Sequence, residues 1–144
     1  MHIKKHPGIR YRQLLRLSGL ANGVLSFHLK KLKKSKLVKV KKLGYNTTRY
    51  YPRAVKTADS DILDYLLDST RRKIIFFLLE YNNCRFKEIL HYIDRAPSTT
   101  SFHLQHLEHA GVISVLRLDR NNQLYRLKNK SRIVRVVSKY KITL

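Results

Sequence analysis

Ser26-Phe27-His28-Leu29 recurs as Ser101-Phe102-His103-Leu104, 75 residues further along the chain. At that offset Leu32 meets Leu107, Leu37-Val38 meets Val112-Ile113, Val40 meets Val115, Asn46 meets Asn121 and Tyr50 meets Tyr125. Upstream, Leu14-Leu15 meets Ile89-Leu90 and Ala21 meets Ala96. A chance four-residue match does not extend in this way; the chain holds two copies of one unit, joined near residues 52–60.

Each copy reads in the same order. In the first, residues 11–17 suit a short helix with Leu14, Leu15 and Leu17 apolar, ended at Ser18-Gly19. Residues 22–34 suit a second helix. At about 100° per residue, Leu25, Leu29 and Leu32 share an inward face, and Gly23, Phe27, Lys30 and Lys34 lie opposite. Residues 37–41 alternate with period two, as a half-buried strand does. Gly44 and Asn46 mark a turn, and residues 48–51 return as a strand stopped by Pro52. In the second copy, Asp68 or Ser69 caps a helix to about residue 81, with Ile74, Ile75, Leu78 and Leu79 apolar. Asn82-Asn83 turns, residues 86–93 form the next helix, and Pro97 opens another to about residue 109. That helix turns Thr100, Leu104 and Leu107 inward and Ser98, Phe102, Gln105 and His109 outward. Residues 112–118 and 123–127 make a hairpin. Residues 131–141 then place Ile133, Val136, Val137 and Tyr140 at helical spacing.

Helix, turn, helix, hairpin is the order of a winged helix. The expected fold is mainly α with small β-hairpin wings: two tandem winged helix-turn-helix domains. The expected boundaries are a basic domain at 1–53, a linker at 54–60, a second domain at 61–128 and a C-terminal helix at 129–144.

Charge narrows the partner. The chain has 144 residues, 31 Lys+Arg against 9 Asp+Glu, and a formal net charge of +22. An excess of this size repels itself in a compact fold and suits a polyanion. Residues 1–57 hold 11 Lys, 5 Arg and no acid, a net of +16, whereas residues 58–144 carry only +6. No apolar run approaches the roughly 18 residues of a spanning helix, and Met1-His2-Ile3-Lys4-Lys5 is not a signal peptide. A membrane partner is therefore not expected. Cys84 stands alone, which fits a reducing compartment; the expected location is cytoplasmic, associated with the nucleoid. The sequence has no Gly-rich phosphate loop, no His-Glu metalloprotease motif and no carboxylate pair in the basic half, so neither catalysis nor a cofactor is expected. Tyr45, Tyr50, Tyr51 and Tyr125 read as hairpin packing rather than as nucleophiles. His103, His106 and His109 lack a carboxylate or thiol to complete a metal site. His28 and His103, at the edge of the inward face, are expected half-buried and bonded to backbone.

The Ser-Phe-His-Leu-x-x-Leu pattern before a strand resembles the recognition helix of ArsR/MarR-like winged-helix transcription regulators. Residues 6–52 and 68–127 carry the likeness, and tandem winged helices of archaeal type are similar to the whole. The resemblance implies double-stranded DNA as partner, and commonly a homodimer made by helices outside the winged core. Here 131–141 is the candidate for that contact. Two departures stand out. Almost nothing precedes His6, so the usual first helix is missing or a stub, leaving an apolar face for the second copy or another chain to cover. The Cys clusters of the metal-sensing branch are absent, so metal sensing does not carry over. No small-molecule effector is identifiable.

A major groove admits one helix, whose outer face meets bases and phosphates. In the first copy Asn22, Gly23, Ser26, Phe27, Lys30, Lys31 and Lys34 are placed for this, with Asn22 able to pair bidentately with adenine and Phe27 to touch a thymine methyl. In the second, Ser98, Thr99, Ser101, Phe102 and Gln105 are the equivalents, on a helix without Lys. Lys39, Lys41, Lys42 and Arg49 decorate the first wing, and Arg117, Arg120 and Arg126 the second, where Arg suits a minor groove. With no acid near the first wing, its cations are expected to meet DNA. The leading expectation is a sequence-specific transcription regulator. The alternatives are an architectural protein coating DNA with little specificity, and an RNA-binding or protein-assembly module.

Overall fold

A computed structural model describes residues 2–42 and 47–144; the first wing's turn, with Gly44, Tyr45 and Asn46, lies outside the described residues. The chain divides into two compact units, Met1–Asp61 and Ile62–Leu144. The first contains α1 (His2–Lys5), β1 (Ile9–Arg10), α2 (Tyr11–Ser18), α3 (Asn22–Lys34), β2 (Val38–Lys42) and β3 (Thr48–Pro52). Helix α4 (Thr57–Leu66) carries the chain across the division. The second contains α5 (Ser69–Glu80), β4 (Cys84–Arg85), α6 (Phe86–Ile93), α7 (Pro97–His109), β5 (Ile113–Asp119), β6 (Asn122–Leu127) and α8 (Lys130–Lys139).

The repeat is exact in register. Each unit has a three-stranded antiparallel sheet, ordered β1-β3-β2 in the first and β4-β6-β5 in the second. Val40 pairs with Tyr50, and Val115 with Tyr125; Ile9 also pairs with Tyr50, and Cys84 with Tyr125. Left-handed backbone recurs at the same offset: Gly8 and Asn83, Gly19 and Asp94, Lys36 and Gly111. The last pair ends the long helices. Leu37 N–H donates to Leu32 O and Lys36 N–H to Lys33 O, as Val112 does to Leu107 and Gly111 to Glu108. This double bond closes a helix with its C′ residue left-handed, a conformation that suits glycine and costs a residue with a Cβ about 1–2 kcal/mol.

The first core gathers Ile3, Ile9, Leu14, Leu25, Leu29 and Val38. The stub α1 therefore covers its own unit: Ile3 is 2% exposed, and burying such a side chain contributes about 1.5–3 kcal/mol. The apolar face expected to lie open is closed locally. In the second unit α5, α6 and α7 pack on one another and bury Ile74, Ile75, Leu78, Ile89, Leu104, Leu107 and the predicted Thr100. Asp68 caps α5 as expected, its carboxylate accepting from Arg71 N–H at 3.0 Å.

Two expectations are corrected. The linker is not a plain spacer, since α4 begins at Thr57; its first turn, Thr57-Ala58-Asp59-Ser60, has no apolar periodicity to announce it, although Asp59 is fully buried. In α8, Ile133 and Val136 are 2% and 0% exposed within the single chain, so half of the stripe expected to make a dimer is already buried, with Val137 and Tyr140 half-buried. The four-residue α1 and the two-residue strands β1 and β4 are too short to leave a period in the sequence.

Lys36→Gly should raise stability by about 1 kcal/mol by relieving the left-handed lysine, and Gly111→Lys should lower it by a similar amount. Urea unfolding of the full chain measures both; an unchanged or lower midpoint for Lys36→Gly would show that the turn carries no such cost.

Candidate nucleic-acid interface

Helix α3 is amphipathic along its whole length. Leu25 and Leu29 are buried, Ser26 is half-buried, and Asn22, Gly23, Phe27, Lys30, Lys31 and Lys34 are exposed. Phe27 keeps 55% of its surface exposed, with the Lys31 ammonium 4.7 Å from its ring centroid. An exposed aromatic with a cation over its face is a stable pair, because the ring quadrupole attracts the charge. His28 is exposed, its ring edge-on to Phe27 at 5.8 Å, so the expected backbone-bonded, half-buried role does not hold for it. The side-chain oxygen of Asn22 accepts from the Tyr11 hydroxyl. Bidentate pairing of Asn22 with adenine would use the same oxygen, which Tyr11 already shares.

The first wing differs most from its sequence reading. Arg49 is 4% exposed, and its Nη1 donates to Gly8 O at 2.9 Å. A buried guanidinium needs such an acceptor. Its repeat partner is the apolar Leu124, which marks the position as inward-facing. Arg49 is thus a core residue, not a DNA contact. Lys39 Nζ donates to Val55 O at 2.7 Å, and Lys41 pairs with the Asp61 carboxylate. The acid missing near the wing in sequence arrives from α4 and partners Lys41, whereas Lys39 is held by a neutral carbonyl and keeps its charge. Lys42 is exposed.

On α7, Ser98, Thr99, Phe102 and Gln105 are exposed and Ser101 is half-buried. Arg117 is held by both Glu108 oxygens, at 3.0 and 3.1 Å. That bond and charge raise the already high guanidinium pKa, and one of the second wing's three arginines is matched by an acid. Arg126 Nε donates to Ser114 Oγ at 3.3 Å. Arg120 is exposed. It rims a groove of about 590 Å³ together with Arg85, Lys87, Ser101 and Gln123. Arg85 and Lys87 were missed in sequence. The repeat held the signal: Arg10-Tyr11-Arg12 and Arg85-Phe86-Lys87 open α2 and α6 alike, with Gln13 and Glu88 accepting from the Arg10 and Arg85 N–H.

The remaining titratable groups are structural. Burial raises the phenol pKa of Tyr50 and Tyr125 and keeps both neutral. Cys84 is 1% exposed, and its thiol donates to Tyr81 O at 3.0 Å. Burial, then the Glu88 charge, raises its pKa. Among the described residues no three or more His, Cys, Asp or Glu come together as a metal site, and no helix is long and apolar enough to cross a membrane. His103 is half-buried as expected, but its partner is a side chain: Arg71 Nε donates to His103 Nδ1 at 3.2 Å. Burial lowers its pKa below the usual 6.5; Arg71, His106 and Arg95 act the same way, and Asp68 opposes them.

Comparison with known proteins agrees with this architecture. Residues 68–115 match the helix-turn-helix model of the bacterial regulatory protein, arsR family. Residues 1–63 match HTH_HVO_0163_N, an N-terminal HTH domain. Both units therefore match helix-turn-helix models, the second that of the arsR family. An uncharacterized HTH-type transcriptional regulator of Methanocaldococcus jannaschii is 30% identical over 112 residues, 78% of this chain and 28% of that protein. The chain thus spans well under half the length of that relative. Among solved structures, the transcriptional repressor BigR from Xylella fastidiosa superposes with a TM-score of 0.51 at 22% identity, over 59% of this chain and 85% of that one. A predicted DNA-binding transcriptional regulator from E. coli gives 0.51 at 21%, over 60% and 90%. At these identities the likeness is one of fold, a winged helix.

Protonated His103 can no longer accept from Arg71. With its folded pKa below the unfolded value, its share of stability is full above pH 6.5 and is lost as pH falls below it. Thermal melts across pH 7.5 to 5 should therefore fall less steeply for His103→Gln than for the parent; parallel curves would exclude this histidine as a source.

Proposed function

We propose that the protein is a transcription regulator that binds duplex DNA, gripping it chiefly through the outer face of α3. One observation carries this reading: an exposed helix face bearing Asn22, Gly23, Phe27, Lys30 and Lys34, with no acid, in a unit whose inward face is fully packed. Such a helix fits a major groove, with Lys30 and Lys34 toward phosphates and the N-terminal residues toward bases. Helix α7 supplies a second, less charged reading face, and the groove rimmed by Arg85, Lys87 and Arg120 supplies its phosphate contacts. A cytoplasmic, nucleoid-associated location follows from this role. Homodimerisation suits two-fold operators. With Ile133 and Val136 buried, the exposed Val134 and the half-buried Val137 are the apolar residues of α8 left to meet a second copy. The architectural alternative draws on the net charge of +22, more than one groove contact requires.

Selection from a random duplex pool tests the proposal. A regulator should bind its preferred duplex roughly 10³-fold or more tighter than random sequence, and should prefer duplex DNA over A-form RNA, whose narrow major groove excludes α3. A flat sequence profile would favour the architectural alternative, and equal RNA binding would overturn both. Each phosphate contact adds about −0.9 to the log–log salt slope. Lys30→Glu with Lys34→Glu should flatten that slope, whereas Lys41→Ala, which removes a cation already paired with Asp61, should change it little. Sedimentation at micromolar concentration reads the oligomeric state, and a monomer there would remove the homodimer from the proposal.

A further inference from the structure

Tyr11 is the first residue of α2 and Asn22 the first of α3. The Tyr11 hydroxyl faces both oxygens of Asn22: the side-chain Oδ1, and the main-chain O at 3.1 Å. Both acceptors belong to one residue, so the hydroxyl fixes the side-chain rotamer against the start of the helix. An asparagine amide has one acceptor oxygen and two N–H donors. The bond takes one of that oxygen's two lone pairs and holds the oxygen toward α2, so the N–H donors make up the other end of the amide.

The second copy shows that this contact is not needed to build the fold. At the repeat offset Tyr11 becomes Phe86 and Asn22 becomes Pro97. Both halves of the pair vanish together, while the flanking Arg10 and Arg85, Ser26 and Ser101, and Phe27 and Phe102 are kept. Helices α6 and α7 nevertheless begin at the equivalent residues and pack on one another. The hydroxyl and the amide thus occur together on the more basic unit and are both absent from the other.

We infer that Tyr11 is a positioning residue that orients the Asn22 amide with its N–H donors toward a guanine edge; this rests on the duplex-DNA reading above. In the major groove guanine presents two acceptors, N7 and O6, whereas adenine presents an acceptor and a donor and is matched by asparagine only through the oxygen that Tyr11 engages. The second unit, with Phe86 and Pro97, has no such reader.

The experiment is selection from a random duplex pool with the full-length chain, scored as the ratio of guanine to the other bases at each position. The intact protein should show one position where guanine is preferred. Tyr11→Phe should reduce that ratio by about fivefold or more, the lower end of what one base contact contributes, with thermal midpoint and binding to random duplex unchanged. Asn22→Asp keeps the acceptor and deletes both donors, and should abolish the same preference. Adding Tyr11→Phe to Asn22→Asp should then change nothing further, because the hydroxyl acts through the amide. A Tyr11→Phe profile identical to the parent, a loss shared equally by all duplexes, or a guanine preference surviving in Asn22→Asp would each overturn the inference while leaving the DNA reading intact. Absence of duplex binding by the parent would overturn the DNA reading itself.

Discussion

Burial of Leu25 and Leu29 on one side of α3 decides what the other side must show. A helix has one circumference, and once its apolar stripe is seated on Ile3, Ile9, Leu14 and Val38, the residues about half a turn away face water. Asn22, Phe27, Lys30 and Lys34 are therefore presented because of how the core packs. Leu104 and Leu107 impose the same geometry on α7, where Ser98, Phe102 and Gln105 are turned out. The left-handed closure at Lys36 and Gly111 then sends the chain back as a strand, and the hairpin register follows from Val40 against Tyr50 and Val115 against Tyr125.

The two units use this frame with different electrostatics. On the first, the cations of α3 stand without nearby acids, and Lys31 is partnered by the Phe27 ring. On the second, Glu108 meets Arg117, while Arg85, Lys87 and Arg120 line one groove. Charge matched within the fold costs little and attracts little, since an exposed ion pair is worth at most about 1 kcal/mol and leaves no net charge for a polyanion. The net charge of each half is thus a poor guide to which cations are available; pairing decides that.

The parts legible in the sequence were those with a local period. The bounds of α3, α6 and α7, the inward Thr100, Leu104 and Leu107, and the hairpins all follow from spacing plus capping residues. The parts that were not legible depend on residues distant in sequence. Arg49 reads as a wing cation because its acceptor, Gly8 O, lies 41 residues away. Lys41 reads as free because Asp61 lies beyond what looked like a spacer. Helix α4 was hidden by a polar first turn, and the Tyr11 hydroxyl on Asn22 joins two helices whose separate patterns say nothing of each other. Alignment of the two copies exposes some of this without coordinates: Leu124 opposite Arg49 signals an inward site, and Phe86 with Pro97 opposite Tyr11 with Asn22 signals a contact peculiar to one unit.

The protein's one thiol has a practical consequence. Cys84 is buried on the edge strand β4, donates to Tyr81 O and has its pKa raised, so little thiolate exists to react. The native chain should pass through air oxidation and alkylating reagents without cross-linking or modification while it stays folded. A cysteine introduced on the outer face of α3 would then be the one site that a maleimide dye labels, and fluorescence could follow that helix with Cys84 left in place.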